Sequence, residues 1–197
     1  MYLRYGKRVF DFTVALVGLP ILLLPGVVLA AAVGAGSGRP VFFRQERVGR
    51  GGRVFRIVKF RTMVVRPAGD SPVTVAGDAR MTPVGAFLRR WKLDELPQLW
   101  NVLVGDMSLV GPRPDVPGYA DGLQGDDRRV LELRPGITGP ATLAYRDEEE
   151  LLAGVDDPVR YNDEVIWPAK VRLNLEYLRT ASLGKDLGYL WRTVAGK

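Results

Sequence analysis

The longest apolar run in the chain lies near its N-terminus. No charged residue occurs from Phe12 to Gly38, and about 20 helical residues, each rising 1.5 Å, already cross the roughly 30 Å hydrocarbon layer of a membrane. The pattern therefore predicts a membrane-embedded helix. Three arrangements suit it: a cleaved signal peptide, which the small residues AAAVGAG would allow, a single spanning anchor, and a hairpin that enters and leaves the same leaflet.

Basic residues on both sides of the apolar run favour the hairpin. Arg4, Lys7 and Arg8 precede it. The arginines that follow it are Arg39, Arg44, Arg47, Arg50, Arg53 and Arg56. Positively charged flanks stay on the cytoplasmic side, so both ends of the run are expected on the same side of the membrane.

Two prolines could produce the turn of such a hairpin. Pro20 and Pro25 each remove a backbone donor and clash with the preceding helical turn. We expect the break at one of them. Asp11 lies at the rim of the apolar run, where an unpaired carboxylate is costly, so we expect it to pair with Lys7 or Arg8 one turn earlier.

Shorter elements follow the apolar run. The alternation from Val41 to Arg47 and from Val54 to Phe60 predicts two strands joined by a glycine-rich turn. The stretch from Val65 to Pro83 is rich in Gly, Pro, Asp and Ser and is predicted to be a loop. Two helices are then predicted from apolar positions three and four apart, which are Phe87, Leu88 and Trp91, and then Leu96, Leu99, Trp100 and Leu103.

The C-terminal part is predicted to be helical from Pro158 to Val194. Aromatic and basic residues alternate there, as is common in the headgroup layer; the aromatic and apolar positions are Trp167, Tyr177, Leu178, Tyr189 and Trp191. The predicted class is α+β and mainly helical. It comprises a re-entrant membrane helix-break-helix over residues 1–38 and a catalytic domain over residues 39–197, with a small β-hairpin and amphipathic interfacial helices, as a single functional unit.

The composition restricts the chemistry. The chain has no cysteine and no histidine, which excludes thiol nucleophiles, thiolate zinc sites and the commonest general base. Catalysis would then rely on carboxylates together with a hard divalent cation. Mg²⁺ is suitable, because it prefers oxygen ligands. Residues 1–66 carry a net charge of +10 and residues 67–197 a net charge of −4. Because the basic block flanks the apolar run, anionic lipid is a better partner for it than nucleic acid.

Asp94 and Glu95 are the candidate catalytic pair. Pro97 favours the first turn of a helix, which places the pair at or before a helix N-terminus, where anions are attracted. One carboxylate could attack phosphorus while the other holds a metal ion. An adjacent Asp-Glu pair is more often a solvated helix start, and the run DEEE at 147–150 shows that this chain has such segments.

Several basic residues could bind phosphate, since arginine forks onto phosphate oxygens. Taken singly, each is more often a surface charge. The candidates are Lys59, Arg61, Arg89 and Arg113, the last in the rigid GPRP turn with Pro112 and Pro114, and Arg134 with Thr138 in the RPGITG turn.

Five segments together resemble a known family. They are KRVFD at 7–11, PVFFRQERVG at 40–49, FRIVKFRTM at 55–63, LDELPQLWNVLVGDMSLVGPRP at 93–114 and RPGITG at 134–139. In order and spacing they resemble the bacterial sugar transferases, the monotopic phosphoglycosyl transferases, over nearly the whole chain. We expect this chain to be the small, catalytic-domain-only form.

The resemblance implies a two-step reaction. Asp94 would attack the β-phosphate of a UDP-sugar, releasing UMP, and polyprenyl (undecaprenyl) phosphate would then take the phosphosugar from the aspartate. Glu95 would bind Mg²⁺, Lys59 and Arg89 would lie near the phosphates, and Arg113 near the uridine nucleotide. The implied location is the cytoplasmic face of the bacterial inner membrane. The implied pathway step is the first membrane step of exopolysaccharide or lipopolysaccharide synthesis. The sequence does not decide whether the protein forms a homodimer.

Two departures from the family pattern concern the membrane break and the sugar. Many relatives have Ser-Pro at the break, whereas this chain has Leu24-Pro25 and an additional Pro20. After RPGITG it has PATLAYRDEEELL where many relatives have a tryptophan-containing segment, and Arg146 is a candidate for sugar binding there.

The rival functions are a membrane-anchored basic adaptor that binds lipid without catalysis, and a hydrolase that passes the phosphoryl group to water.

Overall fold

A computed structural model describes residues 2–64 and 80–196. One long helix, α1, spans Lys7–Ser37 and follows a π-helical turn at Tyr2–Gly6. Within the described residues, this N-terminal segment is the one helix long and apolar enough to cross a membrane. The predicted loop from Val65 lies mostly outside the described residues, which resume at Arg80.

A two-stranded antiparallel hairpin follows α1. Strand β1 spans Phe42–Val48 and β2 spans Val54–Phe60, with Phe42 opposite Phe60 and Val48 opposite Val54. The turn is a short 3-10 segment at Arg50–Gly52, in which Gly51 and Gly52 have positive φ, a conformation that glycine adopts without strain. The predicted hairpin is confirmed, with β1 shifted by one residue.

Two short helices carry the central part of the chain. Helix α2 spans Pro83–Arg90 and is capped by Thr82, whose side chain accepts from the Gly85 amide. Helix α3 spans Gln98–Val104 and ends at Gly105, which has positive φ. Both predicted helices are therefore confirmed.

The rest of the chain adds a second small sheet and further helices. Strands β3 (Ser108–Val110) and β4 (Gly136–Thr138) pair in parallel. The helices are α4 (Pro140–Ala144), α5 (Glu148–Ala153), α6 (Pro158–Tyr161), α7 (Trp167–Thr180) and α8 (Leu183–Ala195); 3-10 segments lie at Ala120–Gly122 and Gly125–Glu132, and a π-helical turn at Asn162–Ile166. A mainly helical chain with little sheet agrees with the predicted class.

Asn101 joins α3 to the hairpin. Its side-chain oxygen accepts from the Val58 amide at 3.1 Å, and its amide nitrogen donates to the Arg56 carbonyl at 2.9 Å. Since Asn101 is almost fully buried, both bonds lie where an unpaired polar group would be costly. This pair of bonds fixes α3 alongside the strand that carries Lys59.

The apolar residues predicted for the helix faces divide between core and surface. Leu88 is fully buried, whereas Phe87, Trp91 and Trp100 are more than half exposed. Tyr177, predicted to lie at the interface, is buried in the main core with Val110. Trp191 on α8 is exposed as predicted.

The predicted partner of Asp11 is wrong. Its carboxylate accepts from the Ser108 hydroxyl at 2.7 Å and from the Leu109 amide at 3.1 Å. Lys7 instead pairs with Asp186 at 2.6 Å, and Arg8 donates to the carbonyls at the C-terminal end of α3. Tertiary partners replaced the neighbours one turn away, because packing of α1 on the domain buries both Lys7 and Asp11 and a buried charge requires close partners.

Both ends of α1 contact the same globular body. Near its start, Arg8 bonds to α3, and Gly18 faces Leu99. Near its end, Val33 packs in a cluster with Phe60 and Leu88. Between these contacts most side chains are exposed, with Leu23 and Leu24 at 68% and 75%. Helix α1 continues through Pro20 and Pro25, without the interruption that the sequence predicted at one of them. Its apolar middle has no protein partner among the described residues.

Candidate functional site

Asp94 and Glu95 lie in a 3-10 turn, Leu93–Glu95, directly before α3. Pro97 is the residue before the helix, so the predicted position of the pair is confirmed. Lys92 enters the turn with φ 57°, a left-handed conformation that is unfavourable for a residue with a side chain. The chain thus turns sharply just before the pair, and both carboxylates are buried, with exposures of only 7% and 8%.

Two cations hold the Glu95 carboxylate. Lys59 Nζ lies 3.1 Å from Glu95 Oε1, and Arg113 Nη2 lies 3.5 Å from the same oxygen. Lys59 comes from β2 and Arg113 from the turn after β3, so three separate segments meet here. Both cations, which the sequence predicted as phosphate-binding residues, thus contact Glu95.

The Asp94 carboxylate, in contrast, makes no hydrogen bond or ion pair with any residue that the structure describes. Burial, and then the negative charge of Glu95, raise the pKa of Asp94 above its ordinary value. Burial acts in the same direction on Glu95, but Lys59 and Arg113 outweigh it and hold its pKa at about 2. The pKa of Asp94 therefore lies above that of its neighbour Glu95. Such a difference between two adjacent carboxyls is typical of pairs with separate acid–base roles.

Arg89 extends from α2 toward the same region. Its Nε donates to the Thr62 hydroxyl at 3.2 Å, and its Nη1 lies 3.1 Å from Glu149. Its positive charge lowers the pKa of Asp94, although less than Lys59 does. The charges of Lys59, Arg89 and Arg113 therefore all act on Asp94, although Arg89 makes no hydrogen bond or ion pair with it.

Gln98 and Arg47 also line this site, although no feature of the sequence singled them out. A small cavity is bounded by both residues together with Lys59, Glu95 and Arg113. Gln98 is 2% exposed, and its Nε2 has no hydrogen-bond partner among the described residues. A buried amide without a partner is costly, and here it lies where a polar ligand would satisfy it.

Asp115 adds a third carboxyl near these cations. Burial raises its pKa to about 7, against the opposing effects of Lys170, Arg47 and Arg113. Its backbone carbonyl accepts from the Val48 amide. Asp115 follows directly after GPRP, so its position in the sequence could have identified it as a residue of this site.

Some predicted residues lie elsewhere. Arg61 is buried and donates to the Arg39 and Ser37 carbonyls, so it fixes the end of α1. Arg146 donates to the Arg192 carbonyl at 3.3 Å on the exposed surface. Neither bonds to the carboxylate pair, because each guanidinium donates to backbone carbonyls near it.

The two turn motifs also separate. The Pro114 carbonyl accepts from Arg47, and the Pro112 carbonyl accepts from the Gly136 amide. Arg134, in contrast, donates to the Gly105 carbonyl and lines a different cavity. The Thr138 hydroxyl bonds to that of Thr193 on α8. GPRP therefore belongs to the carboxylate site, whereas the two side chains predicted from RPGITG do not.

The carboxylates suit a metal ion that arrives with a substrate. No cluster of three or more potential metal ligands occurs among residues 2–64 and 80–196. Mg²⁺ commonly uses one or two protein carboxylates and completes its shell with substrate phosphate and water. Glu95, the predicted Mg²⁺ ligand, could supply one such carboxylate.

Comparison with known proteins identifies the family. Residues 2–196 match the family described as bacterial sugar transferase. The chain is 34% identical to the UDP-galactose-lipid carrier transferase of Erwinia amylovora over 97% of its own length. It is 39% identical to the UDP-glucose:undecaprenyl-phosphate glucose-1-phosphate transferase of Caulobacter vibrioides over 95%. It covers about 40% of the first relative and 68% of the second.

A third relative carries a different sugar in its name. The UDP-N-acetylgalactosamine-undecaprenyl-phosphate N-acetylgalactosaminephosphotransferase of Aeromonas hydrophila is 33% identical over 95% of this chain, which covers 42% of that protein. The match to the family extends over the carboxylate turn, its cations and α1 alike. This chain belongs to the bacterial sugar transferase family.

Proposed function

We propose that the protein moves a sugar 1-phosphate from a UDP-sugar to a polyprenyl phosphate and releases UMP. The observation that carries this proposal is the difference between the two carboxylates: Asp94 is unbonded within the described residues, while Glu95 is held by Lys59 and Arg113. The relatives' names, each of which specifies a sugar nucleotide or a lipid carrier, support the same reaction class.

In the first step, a carboxylate oxygen of Asp94 attacks the β-phosphorus of the donor. A new P–O bond forms to the aspartate, and the bond from that phosphorus to the bridging oxygen breaks, so UMP leaves with the electron pair. In the second step, a phosphate oxygen of the polyprenyl phosphate attacks the same phosphorus and the aspartate departs. The product is a polyprenyl diphosphosugar, and Asp94 is regenerated as a carboxylate.

The surrounding cations suit the donor diphosphate. Lys59, Arg89 and Arg113 come from three elements and converge around the pair, which gives the site positive charge where phosphate charge must be stabilised. Arg47 and the unpaired amide of Gln98 supply further donors on the cavity that Lys59 and Arg113 also line. We assign these donors to the phosphates and the first sugar hydroxyls.

Glu95 would hold Mg²⁺ together with the donor diphosphate. Bound there, the ion would neutralise charge on the diphosphate and on the departing UMP. In its absence, Lys59 and Arg113 neutralise Glu95. These two cations also keep Glu95 ionised, because they hold its pKa at about 2, and a metal ligand must be deprotonated.

We further propose that α1 enters and leaves the membrane from the cytoplasmic face. Arg8 near its start and Ser37 at its end both bond to the globular body, whereas Leu23 and Leu24 between them are exposed. An exposed apolar middle is costly in water but not in lipid. Pro20 and Pro25 lie in this middle section, where a bend would let both ends remain on one body.

The decisive experiment measures a covalent adduct and the products. Purified protein is incubated with a UDP-sugar panel and Mg²⁺, without acceptor, and its intact mass is recorded. Wild type should gain the mass of one phosphosugar and release UMP once, and then turn over when polyprenyl phosphate is added. Asp94→Asn should lose adduct and turnover by about three orders of magnitude or more, and Glu95→Gln should lose turnover about 100-fold.

The rivals predict different products. An Asp94→Asn variant with full turnover would remove Asp94 as nucleophile. A hydrolase would release the sugar phosphate into water with no need of a lipid acceptor. A basic adaptor would release no UMP with any donor, and its lipid binding would weaken steeply with salt.

A further inference from the structure

A second cavity, of about 330 Å³, lies at the start of α1, and its lining shares no residue with the cavity at the carboxylate pair. Basic residues from three parts of the chain line it. They are Arg4 and Lys7 before and at the start of α1, Arg50 in the hairpin turn, and Arg134 before β4. Asp11 and Glu132 contribute the negative charge, and Leu3 and Leu178 contribute apolar surface.

Both carboxylates of this lining already have partners. Asp11 accepts from Ser108 and Leu109 through its two oxygens. Glu132 pairs with Arg129 at 3.0 Å. Glu132 is thus neutralised by Arg129, whereas Asp11 bonds to neutral groups only and keeps a negative charge that acts on Arg134. The lining still holds more cations than anions, with Arg4, Arg50 and Arg134 against Asp11.

The arginines, in contrast, lack acidic partners. Lys7 is paired with Asp186, but in the described part of the chain no carboxylate lies within ion-pair distance of Arg4, Arg50 or Arg134. The one side-chain hydrogen bond of Arg134 uses its Nε, toward the Gly105 carbonyl. Arg50 and Arg8 face Arg134 closely enough to lower its pKa, after the larger effect of burial. Like charges gathered around a cavity are stabilised by an anion.

The position of the cavity indicates what carries that anion. Lys7 lines it, and the exposed apolar surface of α1 begins two residues later at Val9 and continues through Phe12. In a membrane-inserted helix, this boundary lies at the depth of the headgroups. Leu3 and Leu178 at the cavity offer apolar contact to a chain attached to the anion.

We propose that this cavity binds the phosphate of a membrane lipid, with Arg50 and Arg134 as its principal ligands. The phosphate could belong to a phospholipid headgroup or to a polyprenyl phosphate, since both join a phosphate to an apolar chain. Occupancy would connect the hairpin turn, the segment before β4 and the base of α1 through one anion.

The test is binding rather than activity, so it is independent of the proposed transfer reaction. The full chain is purified in neutral detergent and titrated by calorimetry with three probes: dihexanoyl phosphatidylglycerol, farnesyl phosphate and inorganic phosphate. Farnesyl phosphate can also occupy the acceptor position beside Asp94, so only binding that Arg50→Gln or Arg134→Gln weakens counts for this cavity. Wild type should show such saturable binding with at least one of the two lipid phosphates, and the tighter of the two identifies the source. Inorganic phosphate should bind more weakly, because it lacks the chain.

Matched variants locate the site. Arg50→Gln and Arg134→Gln should each raise the dissociation constant about tenfold, as expected for one charge-assisted contact. Arg53→Gln is the control, because Arg53 is an exposed arginine in the same turn region that does not line the cavity. Should Arg53→Gln weaken binding as much as Arg50→Gln, or should neither lipid phosphate bind saturably, the proposal is overturned. Arg50 is exposed, so its variant keeps the test valid if Arg134→Gln does not fold.

Discussion

Lys59 Nζ lies 3.1 Å from Glu95 Oε1, although 36 residues separate the two in the chain. This pair, with Arg113, holds Glu95 ionised, whereas its neighbour Asp94 has no such partner among the described residues. Asn101 maintains the arrangement, because it bonds α3 to the strand that carries Lys59. The pair connects the hairpin to the carboxylate turn, and its removal should change both carboxyls.

Replacing Lys59 with methionine should shift the acid limb of the kcat/KM profile to higher pH. Asp94 must be ionised to attack, and its pKa is already raised by burial. Lys59 opposes that rise, so its loss moves the Asp94 pKa further up, and activity disappears at a higher pH as the pH falls. The profile is measured as UMP release between pH 5 and 9 at saturating acceptor.

The matched control for that shift is Asp115→Asn. The Asp115 pKa of about 7 could also produce an acid limb. If the limb persists in Asp115→Asn and still moves when Lys59→Met is added, it belongs to the Asp94–Glu95 pair. A limb that vanishes with Asp115 would contradict the assignment.

Gln98→Leu should separate stability from donor binding. Leucine has a similar volume and removes a buried amide nitrogen that lacks a partner, so stability should stay equal or rise by about 1 kcal/mol. The KM for the UDP-sugar should rise about tenfold, because a donor to the ligand is lost. Thermal unfolding in neutral detergent and steady-state kinetics measure the two effects. A lower unfolding temperature with unchanged KM would make Gln98 purely structural.

The buried Lys7–Asp186 pair should be strongly coupled. Asp186 is fully buried and also accepts from Tyr2 and Tyr177, both at 2.5 Å. Lys7→Met or Asp186→Asn alone leaves one buried charge unpaired and should cost about 3–5 kcal/mol. The double variant should cost clearly less than the sum of the singles, measured by unfolding in neutral detergent.

An exposed ion pair provides the comparison for the double-mutant cycle of Lys7 and Asp186. Arg160 lies 3.0 Å from Glu164 on the surface, and Arg160→Gln should change stability by no more than about 0.5 kcal/mol. Additive effects of the Lys7 and Asp186 variants would show that the two side chains do not interact in solution.

The absence of cysteine makes the membrane arrangement directly testable. Tyr5→Cys, Leu24→Cys and Arg53→Cys place one thiol before, within and after the apolar segment. With an impermeant maleimide on sealed vesicles, a re-entrant α1 predicts that Tyr5→Cys and Arg53→Cys are labelled from the cytoplasmic face alone and that Leu24→Cys is protected from both. Labelling of Tyr5→Cys from the opposite face would establish a spanning anchor instead.

Local patterns were sufficient to predict several elements. The uncharged run from Phe12 to Gly38 predicted α1, and the glycine-rich turn predicted the hairpin, because membrane length, strand alternation and turn geometry are all properties of neighbouring residues. Pro97 placed Asp94 and Glu95 before a helix for the same reason. The candidate catalytic pair was therefore visible in the sequence, although its role was indicated mainly by family resemblance.

Long-range contacts decided the rest. Lys7 and Asp186 are 179 residues apart, and no spacing rule could pair them or send Asp11 to Ser108 instead of to its helical neighbours. Arg61 and Arg113 looked equivalent as basic residues, yet folding directed one to the end of α1 and the other to Glu95. The sequence determined which charges exist and where the apolar segment lies; the tertiary structure determined which charges meet, because burial removes water and makes each charged group depend on the partners within a few ångströms.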